Sequence, residues 1–337
     1  MAVTTEIQFQ SPINRKGAWT ICQAVPEDNE RVELWLKLKL AAKTPPEENR
    51  MICFRPDPKS PRYRVEAEPC AEGGASRIYK GMDRKVKGRM VAIKVFQRTI
   101  TGQSLDALEV EAKTLSRIDH PHVVKVYDFV IAETPEGNML PAIVMEYVDA
   151  PTLQEKFDSG IQFSKTEIID ITQQAAETID DLAAKHNLFH CDLKPGSIFL
   201  ADEGIIIHDF GISSWTSVNH RLIGSAAYIA PERRNQHFVD LRGEEFNLGL
   251  IVYQMISGRH PFTYKKEDDG SQVMVHIEKD PPLKLAADKA ATSRWEKKTC
   301  KALDQVFAKA FAKDPDNRFQ TATDFAEAVA EVLSPLT

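Results

Sequence analysis

The hydrophobic period of this chain changes near residue 150, and that change constrains its fold more than any other feature. Upstream, apolar residues alternate or run in short blocks: "VAIKVF" (91–96), "VVKVYDFVIA" (123–132) and "AIVMEYV" (142–148) read as strands. One helix, "SLDALEVEAKTLSRI" (104–118), lies among them. Downstream, apolar residues recur every three or four positions. "SKTE" (164–167) is a capping box in which Ser164 and Glu167 satisfy exposed backbone N–H groups, and Ile168, Ile171, Ala175, Ile179 and Leu182 follow on one helical face. "EFNLGLIVYQMIS" (245–257) is apolar nearly all round, as a central helix is, and "ATDFAEAVAEVL" (322–333) closes the unit.

At 337 residues and 42% hydrophobic, the chain can bury two domains or one large bilobal unit. A net charge of −6, with no long basic block, argues against nucleic acid as a partner. The longest apolar run, "LGLIVYQMI" (248–256), is far short of the roughly 20 residues that span a bilayer, so no membrane role is expected. Five scattered cysteines without a C-x-x-C pair indicate neither a disulfide framework nor a thiolate metal site, and point to a reducing, cytoplasmic setting.

Residues 1–62 read as a β-rich extension. In "RVELWLKLKL" (31–40) Val32, Leu34, Leu36, Leu38 and Leu40 alternate with mostly charged residues, the pattern of a half-buried strand. The proline-dense "RPDPKSP" (55–61) is a stiff connector. The segment either packs on the sheet or recruits a regulatory partner by strand addition; sequence does not choose between them.

Some polar residues sit where apolar ones belong. The strand period puts Lys94 on one face with Ala92 and Phe96, and a lysine seldom faces a core without a partner. On a helical wheel Glu111 falls among Leu105, Leu108, Ala112, Leu115 and Ile118, whereas Glu109 falls outside. Lys94 and Glu111 are therefore the expected buried pair, and an internal salt bridge without chemistry explains them as well as a catalytic role does. Further on, "HCDLKP" (190–195) supplies Asp192 and Lys194, "DFG" (209–211) places Asp209 just past the buried strand "III", and "AAYIAPE" (226–232) follows.

With these motifs in order, residues 63 to about 334 resemble a protein kinase of the Hanks Ser/Thr type, bacterial-like in its compactness. The resemblance implies an α+β, bilobal fold: a β-rich N-lobe over 63–148 and a mainly helical C-lobe over 149–337, behind the 1–62 extension. It implies that ATP and Mg²⁺, with Mn²⁺ as the alternative, are used to phosphorylate protein substrates. Lys94 would hold the α- and β-phosphates, oriented by Glu111; Asp192 would take the proton of the acceptor hydroxyl; Lys194 would neutralise the transferring group; Asp209 would bind the metal. Met145 takes the gatekeeper position, the backbone from Glu146 to Val148 would meet adenine, and Ile78, Ala92 and Phe199 would sandwich it. Glu232 would pair with Arg318. A secreted effector is the other setting the compact form allows.

Three positions depart from the family pattern. In "AEGGASRIYKG" (71–81) Gly73 alone remains of the three phosphate-loop glycines, which weakens the nucleotide grip without abolishing it. Ser197 replaces the asparagine that holds a second metal; a hydroxyl can ligate Mg²⁺ but is shorter. Cys191 replaces the arginine that often reads a phosphate on the activation segment, so phosphorylation there is not expected to be the main switch. These changes leave an active kinase and a pseudokinase scaffold as the two competing readings.

Overall fold

The computed structural model describes residues 20–23, 51–52, 62–66, 68–73, 76–96, 109–110, 112–133, 139–210, 226–234, 240–263 and 270–334. The expected strand at 31–40, the proline connector and Glu111 lie outside them. The chain divides into two compact units, residues 1–119 with 124–148, and residues 120–123 with 149–337.

The first unit is an eight-stranded antiparallel sheet. Its strands are β1 (Thr20–Gln23), β2 (Met51–Ile52), β3 (Tyr63–Val65), β4 (Ala71–Glu72), β5 (Ser76–Asp83), β6 (Arg89–Phe96), β7 (Val126–Glu133) and β8 (Met139–Glu146), ordered β1-β7-β8-β6-β5-β3-β2 with β4 also on β5. The β7 strand starts at Val126 rather than Val123, because Val123 is drawn off to bridge Ile207 in the second unit. Alternation fixes the faces: Val91, Ile93 and Val95 join Tyr79, Val130, Ala142 and Val144 in one buried cluster.

This sheet is strongly curled. Four ladders separate β3 from β7, about 19 Å if the sheet were flat, yet Tyr63 Oη donates to Asp128 Oδ2 at 3.4 Å and Arg62 reaches the same oxygen at 3.3 Å. Arg62 also grips both Asp83 oxygens. Burial alone would raise the Asp83 carboxyl, but Arg62 and the Lys85 N–H hold it below its usual range. Asp128 goes the other way, raised by burial.

The second unit is mainly helical: α1 (Leu153–Asp158), α2 (Lys165–His186), α3 (Leu241–Ser257), α4 (Gly270–Lys279), α5 (Lys289–Arg294), α6 (Lys297–Ala310) and α7 (Ala322–Leu333), with a small ladder of β9 (Ile198–Ala201) on β10 (Gly204–Ile207). Ser164 and Glu167 make the expected capping box on α2. Helix α3 is buried on nearly every side, and its Phe246 and Tyr253 rings join those of Phe262, Phe307 and Phe311 in one aromatic cluster. Among the described residues no helix is long and apolar enough to cross a membrane.

Candidate active site

In the first unit the register gathers the sequence-predicted residues on one face of the sheet, opposite the apolar cluster. Lys94 pairs with Ile78 on β5 and Ile143 on β8, and Ala92 pairs with Met145. Cross-strand partners share a face, so Ile78, Ala92, Lys94 and Met145 lie together. Lys94 is half-buried, its Nζ 5.8 Å from the Phe96 ring centroid. At the turn from β4 to β5 the Gly73 N–H donates to the Ser76 carbonyl at 2.9 Å. The segment from Glu146 to Val148, half-buried, runs off the end of β8.

The second unit holds the other residues on two neighbouring loops. Lys194 Nζ donates to Asp192 Oδ2 at 2.5 Å, a charge-assisted bond that fixes both side chains. His190, two residues before Asp192, is buried; its Nε2 faces the His208 carbonyl at 2.8 Å, and its Nδ1 accepts the Asp192 N–H at 3.3 Å. One neutral tautomer, protonated at Nε2, satisfies both contacts, and burial accordingly lowers the His190 pKa to about 4. The His208 carbonyl leads directly to Asp209, which has φ +63°, a left-handed backbone that turns its carboxylate out of the line of β10. His208 stacks on Phe199 at 4.2 Å between centroids.

Ser197 is wholly buried and closes the loop upon itself. Its hydroxyl donates to the Lys194 carbonyl at 2.8 Å and accepts the Lys194 N–H at 3.0 Å. One lone pair is left over.

Sequence reasoning missed what holds this loop. Cys191 also has a left-handed backbone, φ +65°, and its peptide groups are clamped on both sides: the N–H donates to Glu244 Oε1 at 2.8 Å, and the carbonyl accepts from the Arg233 guanidinium. Glu244 lies at the buried head of α3, where burial pushes its carboxyl up to about 7 against the pull of the Cys191 N–H. Two acids opening an otherwise apolar helix were the available signal. Glu232 and Arg318 form the expected pair, with two parallel bonds of 2.9 and 2.7 Å.

Comparison with known proteins gives the family and the fold. The protein kinase domain model matches residues 66–330. Serine/threonine-protein kinase PknB of Mycolicibacterium smegmatis is 32% identical over 279 residues, 80% of this chain and 42% of that protein. Probable serine/threonine-protein kinase CA_C1728 of Clostridium acetobutylicum is 31% identical over 285 residues, 81% of this chain and 40% of that one. This chain thus spans about two fifths of the length of the curated relatives it matches. The crystal structure of the Mycobacterium tuberculosis PknI kinase domain superposes with a TM-score of 0.62 at 23% identity, covering 80% of this chain and 95% of that one, a likeness of fold. On the matched domain and the PknB-type relatives together, the chain belongs to the protein kinase family, of the bacterial Hanks Ser/Thr type.

Proposed function

We propose that this chain is an active protein serine/threonine kinase that transfers the γ-phosphoryl group of ATP to hydroxyls of protein substrates. The observation that carries the reading is the Asp192–Lys194 ion pair, on a loop clamped at the residue just before Asp192. Asp192 orients the acceptor hydroxyl and takes its proton as the oxygen attacks phosphorus. Lys194 balances the charge that develops on the transferring oxygens. Lys94, oriented by Glu111, holds the α- and β-phosphates beneath the Gly73 turn. Ile78, Ala92 and Met145 are the first unit's candidates for contact with adenine and Phe199 is the second unit's, with the backbone from Glu146 to Val148 available to pair with its edge. Residues 63–148 serve as the N-lobe, 149–337 as the C-lobe and 1–62 as a regulatory or docking extension, in a cytoplasmic setting.

The family uses ATP with a divalent metal. Among the described residues no cluster of three or more His, Cys, Asp or Glu side chains could hold a metal alone. Mg²⁺ takes one or two protein ligands and completes its shell with phosphate oxygens and water. Asp209 would supply the carboxylate ligand and Ser197 its remaining lone pair; Mn²⁺ suits the same donors. The bound metal supplies charge neutralisation at the phosphates.

Transfer of label from [γ-³²P]ATP to the chain itself or to a generic basic protein tests the reading. Label should appear with Mg²⁺ or Mn²⁺ and vanish in Asp209→Ala; no transfer under either metal would sink it. The engaged Ser197 hydroxyl favours one rival, a pseudokinase that binds nucleotide without turnover. Tight ATP binding with no transfer, unchanged in Ser197→Asn, would establish that rival.

A further inference from the structure

The family pattern places an arginine at the position that Cys191 occupies, and the chain brings another guanidinium to the same point of the loop by a different route. Arg233 sits in the turn Pro231–Arg234, next to Glu232, and donates to the Cys191 carbonyl. That carbonyl belongs to the peptide joining Cys191 to Asp192. Because a peptide is planar, fixing its oxygen fixes the direction in which the Asp192 Cα leaves it.

The backbone at Cys191 needs such a hold. A residue with a side chain at φ +65° lies about 1–2 kcal/mol above its right-handed alternatives and persists only where its surroundings insist. Two groups do so here: the buried Glu244 at the head of α3 takes the N–H, and the half-buried Arg233 takes the C=O. The thiol makes a long contact, 3.6 Å, with the Phe189 carbonyl.

We propose that Arg233 is a positioning residue for Asp192: by holding the Cys191–Asp192 peptide, it makes the aim of the catalytic carboxylate depend on the order of the 231–234 turn, which the Glu232–Arg318 pair anchors in turn. The proposal rests on Asp192 being the proton acceptor. Positioning of the base is thereby tied to the segment that carries Glu232, with no arginine needed at 191.

The test compares the full chain with Arg233→Gln and Arg233→Lys, normalising rates to the folded fraction. Loss of aim alone should lower kcat by about 10–100-fold in Arg233→Gln while the KM for ATP stays within about 2-fold, and Arg233→Lys should recover part of the loss. Hydrogen exchange gives a readout independent of activity: the amides of 190–193 should exchange faster in Arg233→Gln, with those of α2 unchanged. A normalised kcat within about 2-fold of the parent, or equal losses in both variants that track the folded fraction, would overturn the proposal. If the parent itself transfers no phosphate, the kinase reading fails separately, and unchanged exchange at 190–193 then overturns the clamp as well.

Discussion

Arg318 holds Glu232 through both carboxylate oxygens across 86 residues of sequence, with its guanidinium wholly buried over the Phe246 ring and its Nε donating to the Ala312 carbonyl. Every donor direction of that fork is used. Truncating Arg318 strands a partly buried carboxylate and several carbonyls, so Arg318→Ala should lose about 3–5 kcal/mol of unfolding free energy in urea titration. Arg318→Lys, which keeps the charge but not the fork, should lose most of the same amount.

Asp192→Asn keeps the size of the side chain and loses its basicity. Its kcat should fall by about 100-fold or more, with the KM for ATP little changed, because in the proposed assignment Asp192 acts on the acceptor side of the reaction and not on the nucleotide. Steady-state kinetics at saturating protein substrate would check this. A proportional rise in the KM for ATP would instead place Asp192 at the nucleotide.

Glu244 carries a pH signature. Its folded pKa of about 7 lies above the ordinary 4.5, so between those values the folded state binds more protons than the unfolded one, and the contribution of Glu244 to stability falls as pH rises through that window. His190 has the opposite slope: its pKa is lowered from 6.5 to about 4, so its contribution is lost as pH falls through that range. The two slopes largely cancel in the parent. Glu244→Gln leaves His190 unopposed, and its stability relative to the parent should climb by roughly 3 kcal/mol from pH 4.5 to 7. Urea titrations of both proteins at several pH values would measure the divergence, and parallel curves would refute it.

Glu245 follows Glu244 on α3, is buried completely, and has no hydrogen-bond partner for either oxygen among the described residues. Burial raises its pKa well above normal, which keeps it neutral, but a neutral carboxyl without partners still costs about 1–3 kcal/mol. Glu245→Leu should therefore stabilise the fold by about that amount, read as a higher urea midpoint with an unchanged slope.

The parts of the fold that were legible in the sequence are those where one local rule decides. The capping box at Ser164 and Glu167 and the helix at 322–333 follow from side-chain chemistry within four residues. The placement of Lys94 beside Ala92 follows from strand alternation alone. The Glu232–Arg318 pair was legible only through family resemblance, since 86 residues separate its members. What sequence reading missed is held by long-range polar contacts. Arg233 reads as one of two adjacent arginines in a turn, and nothing local says that it reaches the Cys191 carbonyl. Likewise Asp128, on a strand that reads as ordinary, meets Arg62 and Tyr63 only because the sheet curls. The left-handed backbones of Cys191 and Asp209 are likewise invisible, because neither residue type demands that conformation.

The two outermost strands of the curled sheet come from upstream of the matched kinase domain: β1 lies along β7, and β2 along β3. A shortened chain starting at residue 66, where the match begins, would lack both, and with them Arg62 and Tyr63, the partners of Asp128. It would expose the β7 edge as an unsatisfied ladder of backbone donors and acceptors, ready to pair with another copy of itself. For anyone producing this kinase domain, trimming to the family boundary is expected to lower solubility, even though every proposed catalytic residue would still be present.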